Sequence, residues 1–436
     1  MRQRLACFVP SWEHNYFFVK GAMPIDRKTH KPSFGARDLL KYLGPGFLVT
    51  VGFIDPGNWA TTIAAGSLYG YSLLWVITLS TLMLILLQHN AAHLGIVTGL
   101  CLSEASTRFF PSLTGRSVLA TAVLASVATA LAELLGAAIG LQMLFGLPLP
   151  AGAVLAALFA AYMLFSNSYR SLEKWIIGFV SLIGLAFFFE LALMKTDWAA
   201  AARAWVLPNA PAGSLPVIMS VLGAVVMPHN LFLHSEIIQS RQWNLESEET
   251  IAQQLRFEFL DTLSAMGIGW AINSAMVLVA ASVFFRNGVV VTELPQAQAA
   301  LKPLLGHFAA AVFALALVFS GLSSSITAAV AGGSIFAGAF REPYNPDDSH
   351  SRIGVLITLA GALLAIFFIS NPFQGIIWSQ VVLSLQLPLT IFSLLFLTSS
   401  EKVMGRFANS TRDKVLLWST AVLVSFLNLL LLAQAF

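Results

Sequence analysis

The sequence has little charge. Only 10% of its 436 residues are Asp, Glu, Lys or Arg, whereas soluble domains carry about 25%. Hydrophobic residues make up 57% of the chain, and the mean hydropathy is +0.78. The formal net charge of +3 is too small to indicate a nucleic-acid-binding protein. This composition excludes an ordinary soluble domain and indicates an integral membrane protein whose main surroundings are the lipid bilayer.

Cysteines and catalytic motifs are scarce as well. The two cysteines, Cys7 and Cys101, lie far apart, so we expect neither a disulfide framework nor a Cys-rich metal site. The chain contains no His-Glu-x-x-His, no Gly-x-Ser-x-Gly and no Walker-type loop. We therefore expect no enzymatic activity, no use of ATP and no cofactor.

Long apolar runs dominate the rest of the chain. Each run is long enough for a helix to cross a bilayer, which takes about 20 residues. The predicted spans are eleven in number and lie near 43–69, 72–96, 118–145, 150–166, 175–195, 213–240, 258–285, 305–335, 353–370, 374–398 and 413–434. The sequence therefore predicts an all-α polytopic membrane protein, with one transmembrane domain at 43–436.

The cations fix the expected orientation. With a cytoplasmic N-terminus, all of the 24 Lys and Arg residues except Lys195, Arg203, Arg286 and Lys302 fall in inside segments. Cytoplasmic loops carry such an excess. Residues 1–42 lack the pattern of a cleavable signal, so we expect a cytoplasmic tail there. An odd number of spans places the C-terminus outside. Short loops and few cysteines favour a bacterial inner membrane.

Two of the spans are interrupted by a proline that lies beside a side chain able to hold a cation. Asp55-Pro56-Gly57-Asn58 lies inside span one, and Met227-Pro228 lies inside span six. Proline breaks the helical ladder and leaves a carbonyl unpaired, which the membrane tolerates only at a buried site or a cavity. Breaks at matching places in two halves are typical of transporters built from inverted repeats. We expect a five-plus-five repeat, with one half near 43–195, the other near 213–398, and a peripheral last helix at 413–434.

Several stretches, in this order along the chain, carry a resemblance to a known family. They are Gly44–Phe47, Ile54–Thr61, Leu87–Gln88, Leu94–Gly99, Gly223–Asn230, Leu233–Ser235 and Ser379–Pro388. The sequence resembles the Nramp family of proton-coupled divalent metal transporters along nearly its whole length after the tail. The resemblance implies an importer whose partners are divalent metal ions and protons, with no obligate protein partner.

The resemblance also implies a set of metal ligands. These are the Asp55 carboxylate, the Asn58 amide, the main-chain carbonyl of Ala224 and the Met227 thioether, joined by Gln380 from span ten. Gln88 is implied as a residue that supports the ligands. A thioether among oxygen ligands favours later or softer ions over Mg²⁺ and Ca²⁺. The ligand set therefore predicts Mn²⁺ or Fe²⁺ as the physiological substrate, with Cd²⁺ also carried.

Proton movement in the family is associated with ionisable groups inside the membrane. The matching residues here are Asp55, Glu133, His229, His234 and Arg241. His229 has two open roles, proton handling or a hydrogen bond that steadies the broken helix. The family pattern Thr-Asp-Leu-Ala-Glu in span three reads Thr-Ala-Leu-Ala-Glu here, with Ala130 where the aspartate is expected. We therefore expect metal transport with weak or loosely coupled proton entry.

Two alternative functions remain open. One is a carrier of another cation, such as Mg²⁺, in the same fold, against which Met227 argues. The other is an amino-acid carrier of five-plus-five architecture, in which unwound helix ends bind a substrate carboxylate. An acidic residue such as Asp55 at that point disfavours this second alternative.

Overall fold

The computed structural model describes residues 45–166, 196–239 and 247–435, together with isolated positions between 178 and 192. Every regular element in this part of the chain is helical, which confirms the predicted all-α class. The fifth predicted span, near 175–195, and the tail at 1–42 lie outside the continuously described residues.

The first half contains a broken helix followed by four continuous ones. Span one consists of α1 (Pro45–Thr50), a 3₁₀ turn (Val51–Ile54) and α2 (Pro56–Tyr69). The helices that follow are α3 (Leu74–Thr98), α4 (Leu102–Phe109), α5 (Ser112–Phe145) and α6 (Leu149–Ser166). The short α4 was not predicted from the sequence, because eight mixed residues do not produce a long apolar run.

The second half begins after a short helix, α7 (Trp198–Val206), and again contains a broken span. That span consists of α8 (Leu215–Val226) and α9 (Pro228–Gln239). The remaining helices are α10 (Glu248–Val283), α11 (Leu294–Gly338), α12 (Ser349–Ile366), α13 (Pro372–Thr398), α14 (Glu401–Met404) and α15 (Thr411–Ala435).

In the described residues, nine helical segments are long and apolar enough to cross a membrane, with the broken span six counted as one segment. The broken span one is not among these nine. One predicted boundary is wrong. The seventh span is predicted to begin near 258, but the helix begins ten residues earlier, so residues 248–256 are the first turns of α10. The Ser247 side chain accepts a hydrogen bond from the Thr250 N–H, and Glu248 and Glu249 follow it, so the helix is capped early. No proline or glycine then interrupts it before the membrane.

The two broken spans lie inside the bundle. Within Leu215–Gln239, 83% of the residues in an apolar stretch of 18 are buried. The corresponding share in the last helix, Thr411–Ala433, is only 33%. Close packing around span one depends on small residues. A side chain at Gly136 of α5 would collide with Pro56, so α5 lies directly against the start of α2. The breaks are therefore held at the centre of the protein by neighbouring helices, while α15 lies at its periphery.

Candidate metal site

Both breaks release a backbone carbonyl for the same reason. Pro56 and Pro228 have no N–H, so the carbonyl four residues earlier has no helical partner. These carbonyls belong to Gly52 and Ala224. Asp55 is extended at its break, with φ −77° and ψ 162°. The backbone therefore presents one freed oxygen on each broken span.

The backbone at Met227 has a conformation that side-chain-bearing residues rarely adopt. Its φ is 35°, in the left-handed region where a Cβ is costly. The surrounding structure holds it there, because the Met227 N–H donates to Gly223 O at 3.1 Å and its own carbonyl accepts from the Asn230 N–H at 3.0 Å. Strain of this kind persists only where neighbouring contacts enforce it, and it is concentrated at functional sites.

The Asn58 side chain joins the two breaks. Its Nδ2 donates to Ala224 O at 3.0 Å and lies 3.3 Å from Gly52 O. The same nitrogen lies 2.7 Å from Oδ1 of Asp55, and that carboxylate oxygen also accepts from the Asn58 N–H at 2.6 Å. Three oxygens from two broken spans therefore converge on one buried point. Oxygen atoms so arranged attract a positively charged group.

Several buried oxygens around this point have no hydrogen-bond donor among the described residues. They are Oδ2 of Asp55, Oδ1 of Asn58 and Oε1 of Gln380. All three residues are fully buried. A buried polar atom without a partner is costly, and each such atom in a native structure requires an explanation. A cation substrate that binds these oxygens would provide one.

The Met227 sulfur lies against this group of oxygens. A Cβ added to Gly52 would lie 3.3 Å from Met227 Sδ and would collide with the Asn230 amide. On its other side the Met227 side chain packs in a small apolar cluster with Ala125 and Leu383. The thioether is therefore next to the residue whose carbonyl is freed by Pro56.

Gln380 of α13 lies close to the first break because glycines at the contact leave room for it. A side chain at Gly57 would collide with the Gln380 amide, and a side chain at Gly223 would collide with the Gln380 backbone. Gln380 Nε2 donates to Ser379 Oγ at 3.1 Å. The structure thus brings together Asp55, Asn58, the Ala224 carbonyl, Met227 and Gln380, the five residues expected as ligands.

The residues expected to handle protons fall into two groups. The Glu133 carboxyl group lies beside that of Asp55 and near Ser324 of α11. His229 Nδ1 lies 3.1 Å from Thr129 Oγ1, one turn before Glu133 on α5. This first group therefore surrounds the predicted metal site.

The second group lies elsewhere. His234 Nδ1 lies 2.8 Å from Gln88 Oε1, so Gln88 contacts His234 rather than a predicted ligand. Arg241 lies outside the described residues. Arg352 of α12 is half exposed and donates to the Pro346 carbonyl at 2.8 Å.

A second cluster of possible ligands lies at the N-terminal end of α12. Oxygen and nitrogen atoms of Glu342, Asp348 and His350 lie within 4.8 Å of one another. These groups already have partners, because His350 Nδ1 pairs with Glu342 at 2.7 Å and Asp348 caps α12 through the His350 N–H at 2.9 Å. They are also partly exposed. The site between the two broken spans, whose buried oxygens have no hydrogen-bond donor, is therefore the better candidate for metal binding than this cluster.

Comparison with known proteins identifies the family. The chain matches the family described as Nramp, natural resistance-associated macrophage protein-like, over residues 46–434. The chain belongs to the Nramp family. The resemblance seen in the sequence is therefore confirmed, and the expectation of a transporter rather than an enzyme is confirmed with it.

Curated relatives cover nearly the whole Nramp chain. It is 38% identical over 401 residues to the divalent metal cation transporter MntH of Caldanaerobacter subterraneus, which spans 91% of this chain and 93% of the relative. It is 38% identical over 408 residues to the protein of the same name from Bacillus subtilis, which spans 92% and 94%.

Solved structures support the same fold. The Eremococcus coleocola manganese transporter is 29% identical to this Nramp chain, with a TM-score of 0.77, and the match covers 92% of this chain and 88% of that one. Mhp1, a nucleobase-cation-symport-1 family transporter, is 16% identical with a TM-score of 0.60, covering 90% and 93%. At that identity the likeness concerns the fold alone.

Sequence reasoning missed one group that faces the site, the Gly52 carbonyl. The signal was present in the sequence, because Gly52 precedes Pro56 by four residues just as Ala224 precedes Pro228. Sequence reasoning also missed the close approach of Gln380 to Gly57 and Gly223. This contact depends on how α13 packs, and no pattern in the neighbouring residues indicates it.

Proposed function

We propose that this Nramp protein imports divalent transition-metal ions by alternating access, with Mn²⁺ and Fe²⁺ as physiological substrates and Cd²⁺ also carried. The observation that carries the proposal is the set of unsatisfied buried oxygens on Asp55, Asn58 and Gln380, next to the Met227 sulfur. The names of the relatives, divalent metal cation transporter and manganese transporter, support it.

The proposed ligands are Asp55, Asn58, the Ala224 carbonyl, Met227 and Gln380. Oxygen ligands alone suit Mg²⁺ and Ca²⁺, whereas a thioether favours later or softer ions. The carboxylate supplies the negative charge that compensates a dication for its lost hydration. The mixture of donors therefore favours Mn²⁺ and Fe²⁺ over Mg²⁺, which is the main competing substrate in the same fold.

Ion binding requires one local change. The Asn58 amide turns its Nδ2 toward Asp55, Gly52 and Ala224, while its Oδ1 has no partner. A cation repels the Nδ2 hydrogens, so the amide must rotate and present Oδ1 when the ion enters. Rotation also releases the Ala224 carbonyl. Asn58 therefore satisfies the freed oxygens without metal and becomes a ligand with it.

Proton coupling is proposed to involve Asp55 and its neighbour Glu133. A dication that binds Asp55 favours the charged carboxylate over the protonated one. Any proton displaced in this way has Glu133 as the nearest titratable acceptor, and His229 lies one turn away through Thr129. The protein is proposed to reside in a bacterial inner membrane with a cytoplasmic N-terminus, as the distribution of its cations indicates.

Uptake into proteoliposomes tests the proposal. Purified protein is reconstituted, and the entry of Mn²⁺, Fe²⁺, Cd²⁺, Mg²⁺ and Ca²⁺ is measured at a fixed membrane potential, with and without a pH gradient. We expect entry of the first three ions and exclusion of the last two. Entry of Mg²⁺ in preference to Mn²⁺ would replace the proposal with the alternative cation carrier.

A further inference from the structure

A large cavity lies at the end of α2 that is farthest from the proposed metal site. Its volume is about 980 Å³, which is large enough for a small-molecule ligand. The walls are formed by the link between α2 and α3, by α7 with its flanking residues, and by the C-terminal end of α10. The 14 residues of α2 place about 20 Å of helix between this cavity and Asp55. The cavity is therefore separate from the metal site and, by the proposed orientation, lies on the outer face.

Two arginines line the cavity, Arg203 of α7 and Arg286 just after α10. They are two of the only four cations, among 24, that the sequence places outside the cytoplasmic segments. Neither forms an ion pair within the described residues. Because the outer segments of a membrane protein carry few cations, two of them in the wall of one cavity require an explanation.

The carboxylate in the described part of the cavity wall does not compensate these arginines. It belongs to Asp197, whose Oδ1 accepts from the Ala200 N–H at 3.0 Å and caps α7. A carboxylate is stabilised at a helix N-terminus by the unpaired N–H groups and the helix dipole, so Asp197 is held there. The described wall carries a net positive charge, and a cleft of one sign concentrates ligands of the opposite sign.

A further hydrogen-bonding group in the wall is unused. Thr196 lines the cavity, and its Oγ1 is buried with no hydrogen-bond partner among the described residues. Such an atom in a native structure requires an explanation. A hydroxyl group can donate to the oxygen of an anion. Thr196 and the two arginines together therefore favour an oxygen-rich anion as the ligand.

The cavity is preformed, because hydrogen bonds fix its walls to one another. Tyr71 Oη lies 2.9 Å from Ser282 Oγ of α10 and accepts from the Asp197 N–H at 3.4 Å. Trp75 Nε1 of α3 donates to Asn209 O at 2.9 Å. A site that is already formed has little ordering entropy to lose when a ligand binds.

The opposite side of α7 has the character of a membrane interface. Ala200, Arg203 and Leu207, spaced by three and four residues, put one face of the helix on the cavity. Trp198 and Val206 lie on the other side and are 56% and 76% exposed. Tryptophan is enriched where lipid headgroups meet water. A lipid headgroup at the outer surface is therefore close enough to α7 to be one source of the anion.

We propose that this cavity binds a phosphate group through Arg203 and Arg286. The planar guanidinium group matches two oxygens of a phosphate and remains charged at any physiological pH. The phosphate belongs either to an anionic lipid headgroup or to free phosphate in the outer solution, which offer the arginines the same charged oxygens. This binding is a property beyond the proposed function and does not depend on metal import.

Isothermal titration of the purified protein in a neutral detergent, without any divalent ion, tests the proposal. One arm adds dioctanoyl-phosphatidylglycerol, with dioctanoyl-phosphatidylcholine as the zwitterionic blank. The other arm adds sodium phosphate, with sodium chloride at equal ionic strength as the blank. Each arm compares the parent protein with Arg203→Gln, Arg286→Gln, Asp197→Asn and Arg116→Gln.

We expect the parent to bind at least one of the two anionic probes in preference to its blank. Arg203→Gln and Arg286→Gln should each weaken that binding by about tenfold, since each removes a charged hydrogen-bond donor. Asp197→Asn keeps a side chain that caps α7 but removes the negative charge, so it should bind more tightly than the parent. Arg116→Gln, which removes an exposed arginine of α5 in an inside segment, should bind as the parent does.

The two arms identify the source of the phosphate. Arginine-dependent binding of phosphatidylglycerol alone supports a lipid headgroup, and arginine-dependent binding of sodium phosphate supports free phosphate. The proposal is overturned if the parent binds neither probe, or if Arg203→Gln and Arg286→Gln bind as the parent does. An equal loss in Arg116→Gln also overturns it, because the protein would then attract anions generally, and so does weaker binding by Asp197→Asn. Melting temperatures without ligand show whether each variant has folded, and metal uptake by the same protein tests the proposed function separately.

Discussion

The carbonyl oxygens of Gly52 and Ala224, each four residues before a proline, both face the side-chain amide of Asn58, at 3.3 and 3.0 Å. The two broken spans therefore release their backbone oxygens by the same local chemistry and direct them to one place. A third proline follows the same rule. Pro388 in α13 frees the carbonyl of Ser384, which instead accepts from Asn428 of α15 at 2.8 Å. There the freed oxygen anchors the last helix and is unavailable to an ion.

The first prediction uses this difference. Pro228→Ala supplies an N–H to Ala224 O, closes the helical ladder across the break and removes one proposed ligand. Because Pro228 is the first residue of α9, a position that tolerates proline, the substitution should change stability little. We expect its affinity for Mn²⁺ to fall by about tenfold, or about 1.4 kcal/mol, measured by isothermal titration in detergent.

The matched control is Pro388→Ala, which changes an intramembrane proline whose freed carbonyl serves packing. We expect this variant to bind Mn²⁺ as the parent does. Equal Mn²⁺ affinity in Pro228→Ala and the parent would show that the Ala224 carbonyl contributes nothing to ion binding.

The second prediction concerns the thioether. Met227→Ala leaves only oxygen ligands, so it should weaken Cd²⁺ binding more than Mn²⁺ binding and relax the exclusion of Ca²⁺ and Mg²⁺. We expect the Cd²⁺ affinity to fall by about tenfold. Competition of each ion against Mn²⁺ uptake measures the change.

Met219→Ala is the matched control for the thioether. Met219 is a fully buried methionine of α8, the helix that ends just before Met227, but it packs against Val381 and Leu431 rather than at the break. Its loss should lower stability without changing ion selectivity. If Met227→Ala keeps the ion profile of the parent, Met227 serves packing alone.

Local patterns made much of this protein predictable. Long apolar runs identify the membrane spans, and proline next to Asp55 and Met227 identifies both breaks, because these signals depend on a few adjacent residues. The start of α10 was predicted wrongly, since a charged amphipathic segment such as 248–256 has the same composition whether it forms a separate helix or extends the next one.

The relations between distant residues were not predictable in the same way. The contact of Glu258 with His89 joins α10 to α3 across 169 residues, and nothing near either residue indicates it. The approach of Gln380 to Gly57 likewise depends on how closely α13 packs on α2. Such contacts between distant residues follow from the whole fold and cannot be predicted from local patterns in a single sequence.

The third prediction removes the site's proposed charge. Asp55→Asn keeps the shape of the side chain but removes the negative charge that compensates a dication in a low-dielectric cavity. We expect Mn²⁺ uptake to fall to the level of empty vesicles, while size-exclusion chromatography shows a folded protein. Asp347→Asn, which makes the same change at an exposed loop residue, should transport normally. Normal uptake by well-folded Asp55→Asn would contradict the site assignment.

The fourth prediction concerns the packing of α8 on α13. A side chain at Gly223 would collide with the Gln380 backbone, which cannot move aside as a flexible side chain can. Gly223→Ala should therefore lower stability by about 2 kcal/mol and reduce Mn²⁺ uptake, because α13 carries Gln380 to the site. Gly267→Ala places the same methyl group on α10, where nothing lies within 4 Å, and should be neutral. Thermal unfolding in detergent compares the two, and equal melting temperatures would argue against the close approach.

The last prediction follows from the missing carboxylate at Ala130. Ala130 is fully buried on α5 and lies three residues before Glu133, which adjoins Asp55. Residues three apart on a helix are neighbours, so an aspartate there would add a second proton-binding group beside Glu133. We expect Mn²⁺ uptake by the unmodified protein to be driven largely by membrane potential, with weak proton entry. Ala130→Asp should increase Mn²⁺-stimulated acidification recorded by an internal pH dye, whereas Ala130→Asn, the matched uncharged change, should not. Strong stoichiometric acidification by the unmodified protein, unchanged in Ala130→Asp but abolished in Glu133→Gln, would show that Glu133 suffices for coupling.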